Sequence, residues 1–177
     1  MICPACGARQ FAPKKIDGAL PAEECTQCHG VLVELELYRM WRKNRPQVAA
    51  HEYVGEITEV NDAVRLCPQT GRMMTRIRVS NDNPLLLDYS VAAQAVWFDH
   101  GEWERLMALG LSGQLDAILS ERWQSELKQA ASRERTENAM RVRFGDAAYE
   151  ELVRVREWMA TQPNRLEMIA FLTAKAD

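Results

Sequence analysis

Cys25-Thr26-Gln27-Cys28-His29-Gly30-Val31-Leu32-Val33-Glu34 runs a two-cysteine loop straight into an apolar strand, and a second such loop, Cys3-Pro4-Ala5-Cys6, lies upstream. Each pair can aim two thiolates at one point. Together Cys3, Cys6, Cys25 and Cys28 complete the tetrahedral sulfur shell that zinc favours in structural sites. A catalytic zinc keeps one position open for water or substrate, and four thiolates leave none. The expectation is one Zn2+ per chain that holds a fold together. In an oxidising compartment the same four thiols could instead close two disulfides.

Outward from these loops, the chain repeats itself. Cys3-Pro4-Ala5-Cys6-Gly7 aligns with Cys67-Pro68-Gln69-Thr70-Gly71, and residues 25–37 align with 90–102, so that Val31-Leu32-Val33-Glu34 falls on Val96-Trp97-Phe98-Asp99. In the second copy Thr70, Ser90 and Ala93 replace Cys6, Cys25 and Cys28. Cys67 alone cannot hold zinc. The second copy must therefore stand on packing and strand pairing, for which it has Trp97, Phe98, Trp103 and Leu85-Leu86-Leu87.

The string Cys-Pro-x-Cys, about twenty residues, Cys-x-x-Cys-x-Gly, an apolar strand, an acidic residue and a short Leu-rich helix resembles the transcription factor IIB type of zinc ribbon found in small prokaryotic proteins. Residues 1–43 carry the pattern with its metal ligands. Residues 66–109 resemble it closely at strand and helix and depart from it at the metal. The resemblance implies a zinc ribbon fold for both copies, and a ligand role for Cys3, Cys6, Cys25 and Cys28 only. Fold likeness does not establish transcriptional work.

Local signals agree with ribbon geometry. Residues 73–79 alternate, Ser80-Asn81-Asp82-Asn83-Pro84 is rich in turn formers, residues 85–89 return antiparallel, and 95–98 add a third strand. Asp99 and Glu102 read as the capping box of a helix that Gly110 ends. In the first copy, residues 20–24 and 31–33 read as strands, and 34–44 as a helix stopped by Pro46. Beyond Gly110, Leu115, Ile118, Leu119, Trp123, Leu127 and Ala130 form one apolar stripe on a helix starting after Ser112. A polar run at 132–138 either crosses solvent or marks a bend. A helix over 147–161 carries Tyr149, Leu152, Val155, Trp158 and Met159, and Pro163 opens a last helix. These apolar residues read as core or helix-packing surface. The fold class is α+β: a ribbon at 1–45, a linker at 46–65 with a strand-like stretch at 53–60, a degenerate ribbon at 66–110 and a helical region at 111–177.

Of the 177 residues 47% are hydrophobic, enough for a real core. Twenty-two Lys and Arg against twenty-five Asp and Glu give a net charge of -3, without the basic excess of a dedicated nucleic-acid binder. A local cluster, Arg39, Trp41, Arg42, Lys43 and Arg45, combines charge with a stacking ring and is the candidate for nucleic-acid contact. Its bland reading is a solvated helix end whose cations complement the dipole. No apolar stretch is long enough for a membrane helix, and no leader-like segment precedes Cys3, so a cytoplasmic protein with reduced thiols is expected. No phosphate loop, serine elbow or His-Glu metal helix supports an enzyme. His29 reads as solvent-facing or a neighbour of the sulfur shell. His51, His100 and Cys67 receive no role. The preferred function is a zinc-dependent module for protein interaction or assembly, including self-association through the apolar side of 115–130. Nucleic-acid binding is the alternative.

Overall fold

The structure, a computed structural model, describes residues 1–43 and 64–174. Pro46, His51 and the strand-like stretch at 53–60 lie outside the described residues. The chain is α+β. Each repeat supplies three short strands: β1 (Phe11–Ile16), β2 (Leu20–Cys25) and β3 (Val31–Glu34) from the first, β4 (Thr75–Arg78), β5 (Leu86–Ser90) and β6 (Ala95–Phe98) from the second. Helix α1 (Leu35–Lys43) follows β3, and α2 (Glu102–Ala108) follows β6.

The six strands form one antiparallel sheet in the order β1-β2-β3-β6-β5-β4. The two repeats meet at β3 and β6, where Val31 pairs with Phe98, Leu32 with Trp97 and Val33 with Val96. The repeat alignment makes Val31 equivalent to Val96 and Val33 to Phe98, so the first and third pairs exchange while Leu32 pairs with its own equivalent, Trp97. The duplication is thus realised as an internal two-fold, the arrangement an isologous dimer would have. Both central strands are covered on two faces, which is why they read as continuous apolar runs rather than alternating ones. On one face Val31, Val33, Val96 and Phe98 pack with Tyr38, Trp103, Leu106, Leu115 and Ile118. On the other, Leu32, Ala95 and Trp97 lie with Cys3, Cys25 and Cys67. Gly30 is small for a reason: a Cβ there would stand 2.3 Å from Cζ2 of Trp97.

Strand β1 has no counterpart in the pattern read from residues 20–34, because Pro13, Lys14 and Lys15 obscure it. Those residues suit an outer strand, where proline needs no donor and lysine discourages further pairing. At the other edge, the Gln124 side chain accepts from Arg78 N–H and donates to Arg78 O, closing β4 as a strand would.

The expected helix from 113 to 131 is broken. A 3-10 turn (Ser112–Gln114) leads into α3 (Leu115–Ile118), and the long α4 (Glu121–Phe144) begins anew. Ser120 causes the restart, since its hydroxyl accepts from Trp123 N–H as an N-cap. The stripe expected to mediate self-association is largely spent inside the chain: Leu115 and Ile118 are fully buried, and Trp123 Nε1 donates to Val79 O. Gly110 ends α2 as expected, with φ +69° and the bonds Gly110 N–H to Met107 O and Leu111 N–H to Leu106 O of a Schellman motif. The capping box at Asp99 is half made. Glu102 accepts from Asp99 N–H, but the Asp99 carboxylate is held by Arg65 and Trp97 instead of capping the helix.

Two compact units result, Met1–Lys128 and Gln129–Asp177. Within the first, both repeats share one core. The second takes in the rest of α4, which stays helical through the polar run at 132–138 and buries no side chain along its length. Helices α5 (Asp146–Ala160) and α6 (Arg165–Thr173) follow. Pro163 lies one residue before Asn164, the N-cap of α6, so it precedes the helix rather than sitting in its first turn.

Candidate metal centre

Each knuckle is shaped by backbone bonds before any sulfur is considered. In the first, Gly7 N–H donates to Cys3 O at 3.0 Å and Cys3 N–H donates to Ala8 O at 2.8 Å. Gly7 takes φ +76°, a conformation open to glycine without strain. In the second knuckle His29 N–H donates to Cys25 O and Cys25 N–H to Gly30 O, both at 2.9 Å. Here His29 itself takes φ +60°. That position is costly for a residue with a side chain, and it is held because it turns the chain from the loop into β3.

These turns bring the four sulfurs together. Cys3 Sγ lies 3.4 Å from Cys28 Sγ, Cys6 Sγ lies 3.6 Å from Cys25 Sγ, and all four are within 4.8 Å of one another. A tetrahedral ion with metal–sulfur bonds of about 2.3 Å places its sulfurs about 3.8 Å apart, so the cluster fits a four-thiolate metal shell. A disulfide needs sulfurs at about 2.05 Å, and all five cysteines are free. The four cysteines are thus positioned to hold a metal ion. Cys3 and Cys25 are buried, Cys28 is half-buried and Cys6 is exposed at the rim.

The thiols are unequal. Burial raises Cys25, but the N–H groups of Cys28 and Gln27 and hydrogen bonds from Cys3 and Cys6 outweigh it and leave this thiol at about 7. Burial pushes Cys3 and Cys28 up. Cys25 is therefore readier as a thiolate than Cys3 or Cys28, and a bound cation would draw those two into that state.

The second repeat keeps the knuckle without the four-sulfur cluster. Gly71 N–H donates to Cys67 O and Cys67 N–H to Arg72 O, both at 2.8 Å, repeating the bonds around Cys3. Gln94, equivalent to His29, also has positive φ, at +48°. Ala93 N–H donates to Ser90 Oγ, as Cys28 N–H does to Cys25 Sγ. Around Cys67, burial raises the thiol, but hydrogen bonds from Ser90, Thr70 and the N–H groups of Thr70 and Gln69 bring it below its usual value. Hydroxyls at the positions equivalent to Cys6 and Cys25 thus satisfy this sulfur.

Among the described residues of the basic cluster, the ring and two of the cations are engaged within the fold. Trp41 is only 5% exposed, with its ring packed between Tyr38 and Trp103, so the stacking role expected of it is lost to the core. Arg39 pairs with Asp116 at 2.7 Å, and Arg42 Nε donates to Gly113 O. Lys43 is exposed at the end of α1, and Arg45 lies outside the described residues. His29 faces solvent beside Glu24, with its ring edge toward His100.

One constellation escaped the sequence reading. Arg65, assigned to the linker, is 6% exposed and clamps Asp99 through two bonds of 2.6 Å, with Asp88 3.3 Å from its Nε. Beside them, burial and the charges of Asp99 and Asp88 push Glu102 up to about 8. The only signal in the sequence was Asp99 standing where Glu34 stands in the first repeat.

No family model matches the chain, and no curated protein or solved structure matches it. Among the described residues no helix is long and apolar enough to cross a membrane.

Proposed function

We propose that Cys3, Cys6, Cys25 and Cys28 bind one structural zinc ion and that the chain is a protein-interaction or assembly module built on it. The observation that carries this is the four-sulfur cluster, whose closed shell leaves no position for a reacting water. Zinc is proposed because a closed tetrahedral shell of four thiolates is the one it takes in structural sites. The motif's resemblance to the transcription factor IIB type of ribbon supports the same metal. A non-catalytic role in a reducing compartment is part of the proposal.

Elemental analysis of the purified chain should return one zinc per chain, and cobalt substitution should give the intense thiolate-to-metal absorption of a tetrahedral four-sulfur site. Two zinc ions per chain, or none with intact thiols, would overturn the assignment. The nucleic-acid alternative is weakened by the burial of Trp41 and the pairing of Arg39.

A further inference from the structure

The internal two-fold makes each half of the sheet a template for the other. In the second repeat Arg65, two residues before Cys67, is buried and forks onto Asp99, with Asp88 3.3 Å from its Nε. Asp88 stands opposite Trp97 in the sheet, and Arg76 stands opposite Asp88 and reaches it at 3.5 Å. Two guanidinium groups thus neutralise the carboxylates on that side.

The first repeat builds the same place from its own residues. Glu34 is equivalent to Asp99 and Leu32 to Trp97. Glu23 stands opposite Leu32 as Asp88 does opposite Trp97, and Pro13 stands opposite Glu23 as Arg76 does opposite Asp88. Pro13, Glu23, Leu32 and Glu34 here line a groove of about 260 Å³. Gln69, from the knuckle of the other repeat, also lines it and donates to Glu34 Oε1 at 3.0 Å.

What differs is the cation. Both carboxylates are kept, but Met1 stands where Arg65 does and is 48% exposed, and Pro13 stands where Arg76 does. Among the described residues neither Glu23 nor Glu34 makes an ion pair. Lys14 is held by Glu24 at 2.7 Å, and Lys15 lines the groove without pairing with either carboxylate.

We propose that this groove receives an arginine side chain of a partner polypeptide, its guanidinium lying between Glu23 and Glu34 as Arg65 lies between Asp88 and Asp99. A planar fork of donors suits two carboxylates better than a point charge does, and Leu32 and Pro13 offer apolar cover for the stem. The groove is smaller than most small-molecule pockets and suits one side chain. A polypeptide is the source because Arg65 is itself presented by a chain segment, with Met74 N–H donating to Arg65 O. Lys14 and Lys15 at the groove disfavour a run of cations, so the arginine stands among neutral or acidic neighbours.

Such docking rests on the protein-interaction half of the proposed function and not on the metal. Its test is amide NMR of the full chain titrated with end-capped Ala-Arg-Ala, with the lysine and citrulline analogues and with free arginine. A single charged side chain binds weakly, so the titration runs to about 10 mM. Shifts at Glu23, Leu32, Glu34 and the Gln69 side-chain amide are expected with the arginine peptide. Binding should weaken at least tenfold with citrulline, which is neutral and nearly the same shape, and in Glu34→Gln and Glu23→Gln. No shift, equal binding of the citrulline or lysine peptide, or binding unmoved by both substitutions overturns the proposal. Free arginine binding more tightly than the capped peptide would overturn the partner polypeptide as its source. Zinc content is measured on the same samples: a folded, zinc-loaded chain that ignores the peptide sinks this docking alone, and a zinc-free chain that binds it sinks only the metal assignment.

Discussion

Glu102 shows what one residue's surroundings do. Its carboxylate accepts from Asp99 N–H yet sits among Asp99 and Asp88, and its burial keeps it protonated up to about 8. The folded value exceeds the unfolded one, so the stability it contributes is complete below the unfolded carboxylate range and is lost as pH rises through about 8. Thermal unfolding from pH 5 to 9 should therefore show the wild type falling relative to Glu102→Gln, by about 1.4 kcal/mol for each pH unit crossed between the two values. Parallel profiles for the two proteins would show that the carboxyl ionises freely. Arg65 opposes the effect in part, since its guanidinium charge favours the ionised form of Glu102.

At the scale of elements, a buried phenol joins α1 to the turn before α3, beside the Arg39–Asp116 pair and the Arg42 bond to Gly113 O. Tyr38 on α1 donates to Ser112 O at 2.9 Å and accepts from Leu115 N–H at 3.1 Å, in a fully buried position. The bridge seats the turn before α3 against α1. Tyr38→Phe keeps the ring and leaves two buried backbone groups unpaired, so denaturant unfolding should register a loss of about 1–3 kcal/mol. A change within error would mean that water replaces the hydroxyl. Residues explain why these elements were only partly legible. Strand β6 reads directly from Ala95-Val96-Trp97-Phe98, whereas β1 hides behind Pro13, Lys14 and Lys15, and α3 breaks from α4 at a Ser120 cap that an unbroken apolar stripe conceals.

For the whole molecule, the metal loops and their degenerate copy lie on one face of a single sheet, joined by the Leu32–Trp97 pair. Removing the proposed zinc should therefore not unfold the first repeat alone. Chelation, or Cys25→Ser, is expected to lower the unfolding temperature of residues 1–128 as one transition, with loss of the near-UV signal of buried Trp97 and Trp103, while most far-UV helical signal persists. Selective loss of order in residues 1–43, or no shift at all, would contradict the shared core.

By itself the sequence determined which four cysteines can gather at one point, the duplication, the α+β class and the missing sulfurs of the second copy, because spacing and residue chemistry act over a few positions. Only the tertiary structure decided that the repeats pair through β3 and β6, that Trp41 belongs to the core and that Arg65 is buried against Asp99. Each of these depends on partners more than thirty residues away, and the same tryptophan or arginine is surface or interior according to what the chain brings back to meet it.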